Sequence, residues 1–449
     1  MILHGTQEID QHGVLTIGGC RATDLAARFG TPLYVLDEAC FRDNCRRYLA
    51  ASRAAYENSD VAFASKALMT SAVVRICDEE DLWLDVASPG ELLTAQRVAY
   101  PMSRTLYHGN NKSLEEIRLA VKAGVGLIVV DWLGELEQIE QVGAEAGREV
   151  PILLRLAPGV DPDTHHAIRT GQPDTKFGLS IQGEAADAGV AAALALPHVQ
   201  LLGYHSHVGS QLLDLEAHAE AVVEMVQFAG RMAGKHGYSP AILNIGGGLG
   251  IRYTEKDRPP SFEEFHDQLV RTLTEQLRIT GLEPPKLLQE PGRSLVGEAG
   301  TTLYTVGAIK HLDLPEGLQR LYVSVDGGLS DNPRPQMYGA VYECALANRM
   351  NDHADTECRI AGAHCETDTL IASAQLPMPR PGDLLAVPCT GAYCYSMASN
   401  YNRFQRPAMV LVNQGQADVI VERESPEDVI RMDRIPERFR SVEDTGKHA

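Results

Sequence analysis

The stretch VAFASKALMT, residues 61–70, is a short apolar run closed by a lysine whose near neighbours are alanine and serine. A run of about 4 to 8 apolar residues followed by helical periodicity reads as a buried strand feeding a helix. The same unit recurs as LWLDVAS (82–88), TLYHGN (105–110), LIVVD (127–131), ILLRLAP (152–158), LLGYHSHVG (201–209), ILNIGGG (242–248) and KLLQEPG (286–292). Between them lie segments such as LEAHAEAVVEMVQFAGRMAGKHG (215–237), which spaces apolar residues three and four apart and ends in glycine. Eight strand–helix units predict a (β/α)8 TIM barrel in the α/β class. An open doubly wound sheet is the competing arrangement, and the count of eight favours closure.

After residue 300 the texture changes to alternating runs such as TTLYTVGAIK and RLYVSVDGG, separated by Pro and Gly turns. This predicts a second, all-β domain of sandwich or barrel type. The expected division is 1–34 as N-terminal strands joining the β domain, 35–295 as barrel, 296–425 as C-terminal β domain and 426–449 as a charged tail.

The chain has 449 residues, 44% hydrophobic and 22% charged, with no apolar run near the roughly 18 residues of a membrane span. Its start, MILHGTQEIDQHG, lacks the basic and apolar regions of a secretory signal, which predicts a cytoplasmic protein. Nine cysteines without a CxxC pair fit neither a disulfide lattice nor a zinc framework. A formal charge of −20 with no basic patch argues against nucleic acid and anionic membrane as partners and points to a small molecule.

In such a barrel the reacting groups sit where strands end. Lys66, His108, Asn110, Asp131, His207, Gly246 to Gly248 and Glu290 fall there, in positions expected to face one pocket. Strand alternation puts Ala62, Ala64 and Lys66 on one face, with space for a flat cofactor beside the amine. Partial desolvation would lower the Lys66 pKa and make it a nucleophile able to form a Schiff base. The bland reading is a strand-end lysine reaching for solvent. NIGGGLGI offers backbone N–H groups to a phosphate, although a tight turn needs glycine as well. In QEPGR, Glu290 can hold a pyridine nitrogen protonated and Arg293 can reach an anion; a surface ion pair is the alternative. His205 and His207 could chelate zinc with Asp131 and His108, but that leaves the lysine, the glycine turn and QEPGR without roles, so no metal is expected.

The segments FASKA, DVASPGEL, HGNNKS, THHAIRTGQPDTKFGLS, HSHVGSQ, GGGLGIRY, EPGR, DNPRPQMYGA, CETDTL and GAYCYSMASNYNRF follow one another over more than 300 residues. In that order the sequence resembles the fold type III pyridoxal-phosphate decarboxylases, most closely those acting on meso-2,6-diaminopimelate. The resemblance implies pyridoxal 5'-phosphate as cofactor and loss of CO2 from that substrate to give L-lysine, the last step of lysine biosynthesis. Lys66 would then carry the cofactor and His207 stack on its ring. Ser210, Gly246, Gly247, Gly248 and Tyr393 would hold the phosphate, with Gly292 and Arg293 also on the cofactor, while Glu290 faced the ring nitrogen. Arg293, Arg334, Tyr338 and Tyr393 would bind the distal end of the substrate and Glu366 its distal amine. Cys365 would be the proton donor. Cys365 and Glu366 reach the site from a second subunit in this family, which implies a homodimer with shared active sites. Pro89 and Ser206 depart from the family's usual glycine and cysteine. Related decarboxylases of D-ornithine, D-lysine, arginine, carboxynorspermidine or a carrier-tethered acyl group remain alternatives.

Overall fold

The computed structural model describes residues 1–160, 176–315 and 319–439. Most of THHAIRTGQPDTKFGLS, up to residue 175, and the end of the tail from 440 lie outside the described residues.

Each of the eight quoted runs is a strand: β1 Ser59–Ala64, β2 Trp83–Val86, β3 Thr105–Tyr107, β4 Leu127–Val130, β5 Val150–Ala157, β6 Val199–His205, β7 Ile242–Asn244 and β8 Lys286–Gln289. They pair in parallel around a closed ring, β8 returning to β1 with Gln289 opposite Val61 and β4 to β5 with Ile128 opposite Ile152. The runs read as continuously apolar because both faces of a barrel strand are covered. Ala62, Leu106, Leu127, Val129, Leu153 and Leu288 form a core cluster within the barrel, while helices cover the outside.

Local chemistry sets the helix limits. Ser113 with Glu116 and Ser261 with Glu264 form capping boxes at the starts of Leu114–Ala123 and Phe262–Thr280. Pro89 opens the helix Pro89–Arg97 behind the Ser88 cap, where a missing N–H costs nothing, so the departure at Pro89 is compatible with the fold. Gly237 and Gly281 close two helices in the left-handed region.

The second sheet is built on β9, Gly300–Asp313, which pairs antiparallel with β10, Gln319–Val325. The strand Leu33–Asp37 lies antiparallel beside β9, with Gly300 opposite Leu36, and parallel beside Ala408–Met409 and the residues that follow. The chain therefore enters the β sheet at Leu33–Asp37, makes the barrel, and returns to the same sheet. Among the described residues, no helix is long and apolar enough to cross a membrane.

Strand β1 stops at Ala64, and Ser65–Ala67 form a 3-10 turn. The two-residue alternation expected for Ala62, Ala64 and Lys66 therefore does not reach Lys66; a turn, not the pleat, sets its direction.

Candidate active site

At the carboxyl ends of the barrel strands a recess of about 310 Å³ is lined by Lys66, His207, Ser210, Gly247, Gly248, Glu290, Gly292, Arg293 and Tyr393, with Ala64 and Leu249. It opens into a cleft of about 1920 Å³ bordered by Tyr253, Arg334, Tyr338 and Glu343. Lys66 borders both spaces, and its side chain is exposed to them.

Glu290, at the end of β8, is buried and almost wholly engaged. Oε1 accepts from His108 Nε2 at 2.9 Å and Asn244 Nδ2 at 2.7 Å, and Oε2 lies 3.3 Å from His205 Nε2. Burial alone would raise its pKa, but His108 and His205 hold the carboxyl well below the usual range. Burial pushes His205 down to about 4, so it donates to Glu290 as a neutral ring. Asp85, on β2, lies 3.7 Å from His108 Nε2, and burial raises its pKa, with Glu290 adding to the rise and His108 opposing it. A fixed negative charge thus sits on Glu290, and the second carboxyl nearby resists ionisation.

Lys66 runs against expectation. Burial does act to lower its pKa, but Asp85, Tyr393 and Glu290 outweigh burial and the net direction is upward. The raised pKa makes the amine an ammonium in the free site, with Glu290 on the recess wall as its fixed negative neighbour. His207 behaves oppositely: burial, with the positive charges of Lys66 and Arg155, pushes it well below its ordinary value and leaves a neutral ring.

The triple-glycine turn explains itself sterically before any ligand is considered. A Cβ on Gly247 would lie 2.1 Å from the Glu290 carbonyl oxygen, so the turn can cross the end of β8 only without a side chain. The N–H groups of Gly247 and Gly248, both on the recess wall, donate to no acceptor among the described residues. Gly246 does not line the recess; its N–H is spent on Asn244 Oδ1 at 2.9 Å. Gly292 lies close under the floor, where a Cβ would meet Ala64 and Ala67 at 3.0 Å.

At the other end of the site, Arg293 Nη2 donates to Ser210 Oγ at 3.0 Å, and Nη1 to the Tyr253 hydroxyl. Its guanidinium lies 4.9 Å from the Tyr393 ring centre; that of Arg334 lies 5.3 Å from the same ring and 5.2 Å from Tyr338. Both arginines are buried, neither pairs with a carboxylate among the described residues, and Arg334 Nε has no partner. Tyr393 holds a φ of +63°, a strained conformation for a non-glycine residue, and its N–H is tied to the Ala67 carbonyl at 2.8 Å.

Other expectations for strand-end residues need correction. Asp131 turns away from the recess to accept from Gly178 N at 2.8 Å and to face Arg155 at 3.5 Å. His108 lies beneath Glu290 and does not line the recess. His205 and His207 do not form a chelating pair: β6 ends at His205, which turns to Glu290, while His207 lines the recess beyond it. Among the described residues, the one grouping with metal-ligand spacing is His108, His205 and Glu290, whose donors are spent on the carboxylate. Cys365 and Glu366 are exposed and line neither the recess nor the cleft of their own chain.

Sequence reasoning missed Asp85, Asn244 and Tyr253. Asp85 and Asn244 are each the lone polar residue within an apolar run, a signal available but unread.

The residues present fit pyridoxal phosphate. The recess combines an amine, a fixed carboxylate, a neutral imidazole and unpaired backbone donors on a glycine turn, which suits an aldehyde, a basic ring nitrogen and a phosphate.

Comparison with known proteins agrees with this geometry. The family described as "Pyridoxal-dependent decarboxylase, pyridoxal binding domain" matches residues 42–297. The chain is 44% identical over 434 residues to the diaminopimelate decarboxylase of Bacillus subtilis, covering 96% of this chain and 98% of the relative. It is 43% identical over 447 residues to that of Synechocystis, covering 97% and 93%. The crystal structure of diaminopimelate decarboxylase from M. jannaschii in complex with L-lysine superposes with a TM-score of 0.90 at 34% identity, covering 97% of this chain and 100% of that one. On the fold, the recess and these relatives together, the chain belongs to the pyridoxal-dependent decarboxylases, in the branch of the diaminopimelate decarboxylases.

Proposed function

We propose that the protein decarboxylates meso-2,6-diaminopimelate to L-lysine and CO2 with pyridoxal 5'-phosphate, the last step of lysine biosynthesis. One observation carries this reading: the recess that holds Lys66 and Glu290 opens toward two buried guanidinium groups that have no carboxylate partner among the described residues. That combination suits a substrate with an amine at the reacting end and a carboxylate at the other.

When bound, the cofactor supplies an aldehyde for the substrate amine and a ring that accepts the electron pair left by the departing carboxyl group. Lys66 is the residue that would hold it. Its raised pKa means that the amine must give up a proton before it can do so. The anionic Glu290 would keep the ring nitrogen protonated, and the neutral His207 can lie against the ring without adding positive charge. Gly247 and Gly248 N–H groups, Ser210 and Tyr393 would hold the phosphate, Gly246 would act by shaping the turn, and Gly292 allows the close approach.

Arg293, Arg334 and Tyr338 would clamp the distal carboxylate. A substrate without it leaves buried guanidinium charge unpaired, at a cost of about 2 to 5 kcal/mol. This favours diaminopimelate over D-ornithine, D-lysine or arginine, whose distal ends carry no carboxylate. Cys365 as proton donor and Glu366 as partner of the distal amine would come from the second subunit of a homodimer, in keeping with their exposure on a single chain. The barrel, 35–295, would then bind the cofactor, and the β domain, 296–425 with 1–34, would complete the substrate side. A small-molecule role with no nucleic acid and no membrane partner fits a cytoplasmic enzyme.

The test is CO2 release from meso-diaminopimelate beside D-ornithine, D-lysine, arginine and carboxynorspermidine. Preference for diaminopimelate supports the reading. Faster turnover of any of the others overturns the substrate assignment.

A further inference from the structure

We propose that Tyr253 is a ligand-binding residue, its phenol O–H acting as a third donor, beside the Arg293 and Arg334 guanidinium groups, to an oxyanion of the bound ligand. The inference rests on the proposed function for the identity of that ligand, but its geometry stands alone. Tyr253 borders the cleft and is 8% exposed. Arg293 Nη1 donates to its oxygen, and a guanidinium has no lone pair to offer in return. The phenol proton therefore has no acceptor among the described residues. A buried hydroxyl donor with nothing to donate to is costly unless a ligand completes it.

The ring is held where such a ligand would lie. Its face meets Tyr342 edge-on at 5.3 Å and 88°, and the Arg293 guanidinium sits 5.6 Å from its centre. Asp257 Oδ2 accepts from Tyr253 N at 3.1 Å and from Thr254 N at 2.7 Å, knotting the loop that carries the tyrosine. Burial pushes the phenol up to about 12, with Arg293 acting in the opposite sense, so the donor proton is present at neutral pH. Two oxyanions could take it, the cofactor phosphate and the distal carboxylate of the substrate. Both can accept from a neutral donor and a guanidinium together.

The experiment compares Tyr253→Phe with wild type, measuring KM and kcat for meso-diaminopimelate, inhibition by L-lysine and by 1,5-diaminopentane, and the Kd of pyridoxal phosphate for the apoprotein. L-lysine keeps one carboxylate and 1,5-diaminopentane has none. Donation to the carboxylate predicts a rise of about tenfold in KM and in the L-lysine inhibition constant, the size expected for a hydrogen bond to a charged group. The inhibition constant of 1,5-diaminopentane and kcat stay unchanged in that outcome. Donation to the phosphate predicts the same loss in cofactor affinity with the KM of the loaded enzyme unchanged. No change in any of these, or an equal loss for L-lysine and 1,5-diaminopentane, overturns the proposal. A wild-type enzyme that releases no CO2 from meso-diaminopimelate would instead sink the proposed function, and the cofactor titration would still test Tyr253.

Discussion

The two ends of the site are built on opposite plans. Around Glu290, charge is answered from within the chain: His108, Asn244 and His205 all face one carboxylate. Around Arg293 and Arg334, two buried positive groups are answered, among the described residues, only by tyrosine rings and hydroxyls. The first end is preorganised, with nothing left to rearrange when a ring nitrogen arrives. The second is incomplete without an anion, so binding energy there depends on what the ligand carries. Under the proposed function, chemistry and selectivity would be separated in space, and variants at the two ends should fail in different ways.

The largest effect belongs to the residue between them. Lys66→Ala should abolish turnover and the visible absorption of the cofactor-loaded protein; measurable CO2 release at the wild-type rate would reject its role. Glu290→Gln should keep cofactor but lower kcat by about 10² to 10³, the usual scale for losing a preorganised electrostatic group. If kcat holds and KM rises, the contrast between the ends is wrong. Arg334→Ala should do the reverse, raising KM by roughly thirtyfold or more with cofactor affinity intact, as expected for about 2 kcal/mol or more at a buried charge.

The turn bearing Cys365 and Glu366 belongs to neither end of its own chain. It is nevertheless firmly held: Cys365 N donates to Asn402 Oδ1 at 2.9 Å, and the buried His364 and Asp368 are joined at 2.5 Å below it. Cys365→Ala should bind cofactor but turn over slowly or protonate wrongly. Mixing inactive Lys66→Ala chains with slow Cys365→Ala chains should raise L-lysine formation to roughly a quarter of the wild-type rate if sites are shared across a two-fold dimer. No recovery after subunit exchange would rule sharing out.

The smallest effect concerns stability. His205 has its pKa lowered from 6.5 to about 4 in the folded protein, so the unfolded chain binds more protons between those values. Its contribution to stability is present above pH 6.5 and is lost as the pH falls toward 4. Thermal unfolding of His205→Asn should depend less steeply on pH in that window; an unchanged slope would count against the buried, neutral ring.

The barrel was legible because each strand, covered on both faces, reads as an unbroken apolar run, and each helix announces itself by its period and caps. The glycine turn and Glu290 were legible because they close such runs. What the chain did not disclose locally was electrostatic. Glu290 meets His108 across 182 positions and His205 across 85, separations that no window of sequence spans. The sign of the Lys66 shift depends on Asp85 and Glu290 converging from β2 and β8, so expecting burial to dominate led to the wrong direction. Asp131 was misplaced for the same reason: its partners, Gly178 and Arg155, lie on other elements. Tyr253 sits in a loop, where periodicity says nothing about direction.

Mass spectrometry of the pyridoxal-phosphate-loaded protein after borohydride reduction and proteolysis shows directly whether Lys66 is the amine that holds the cofactor. One phosphopyridoxyl group is expected, on the peptide containing Lys66. A modified peptide that excludes Lys66, in a preparation that releases CO2 from meso-diaminopimelate, would contradict it.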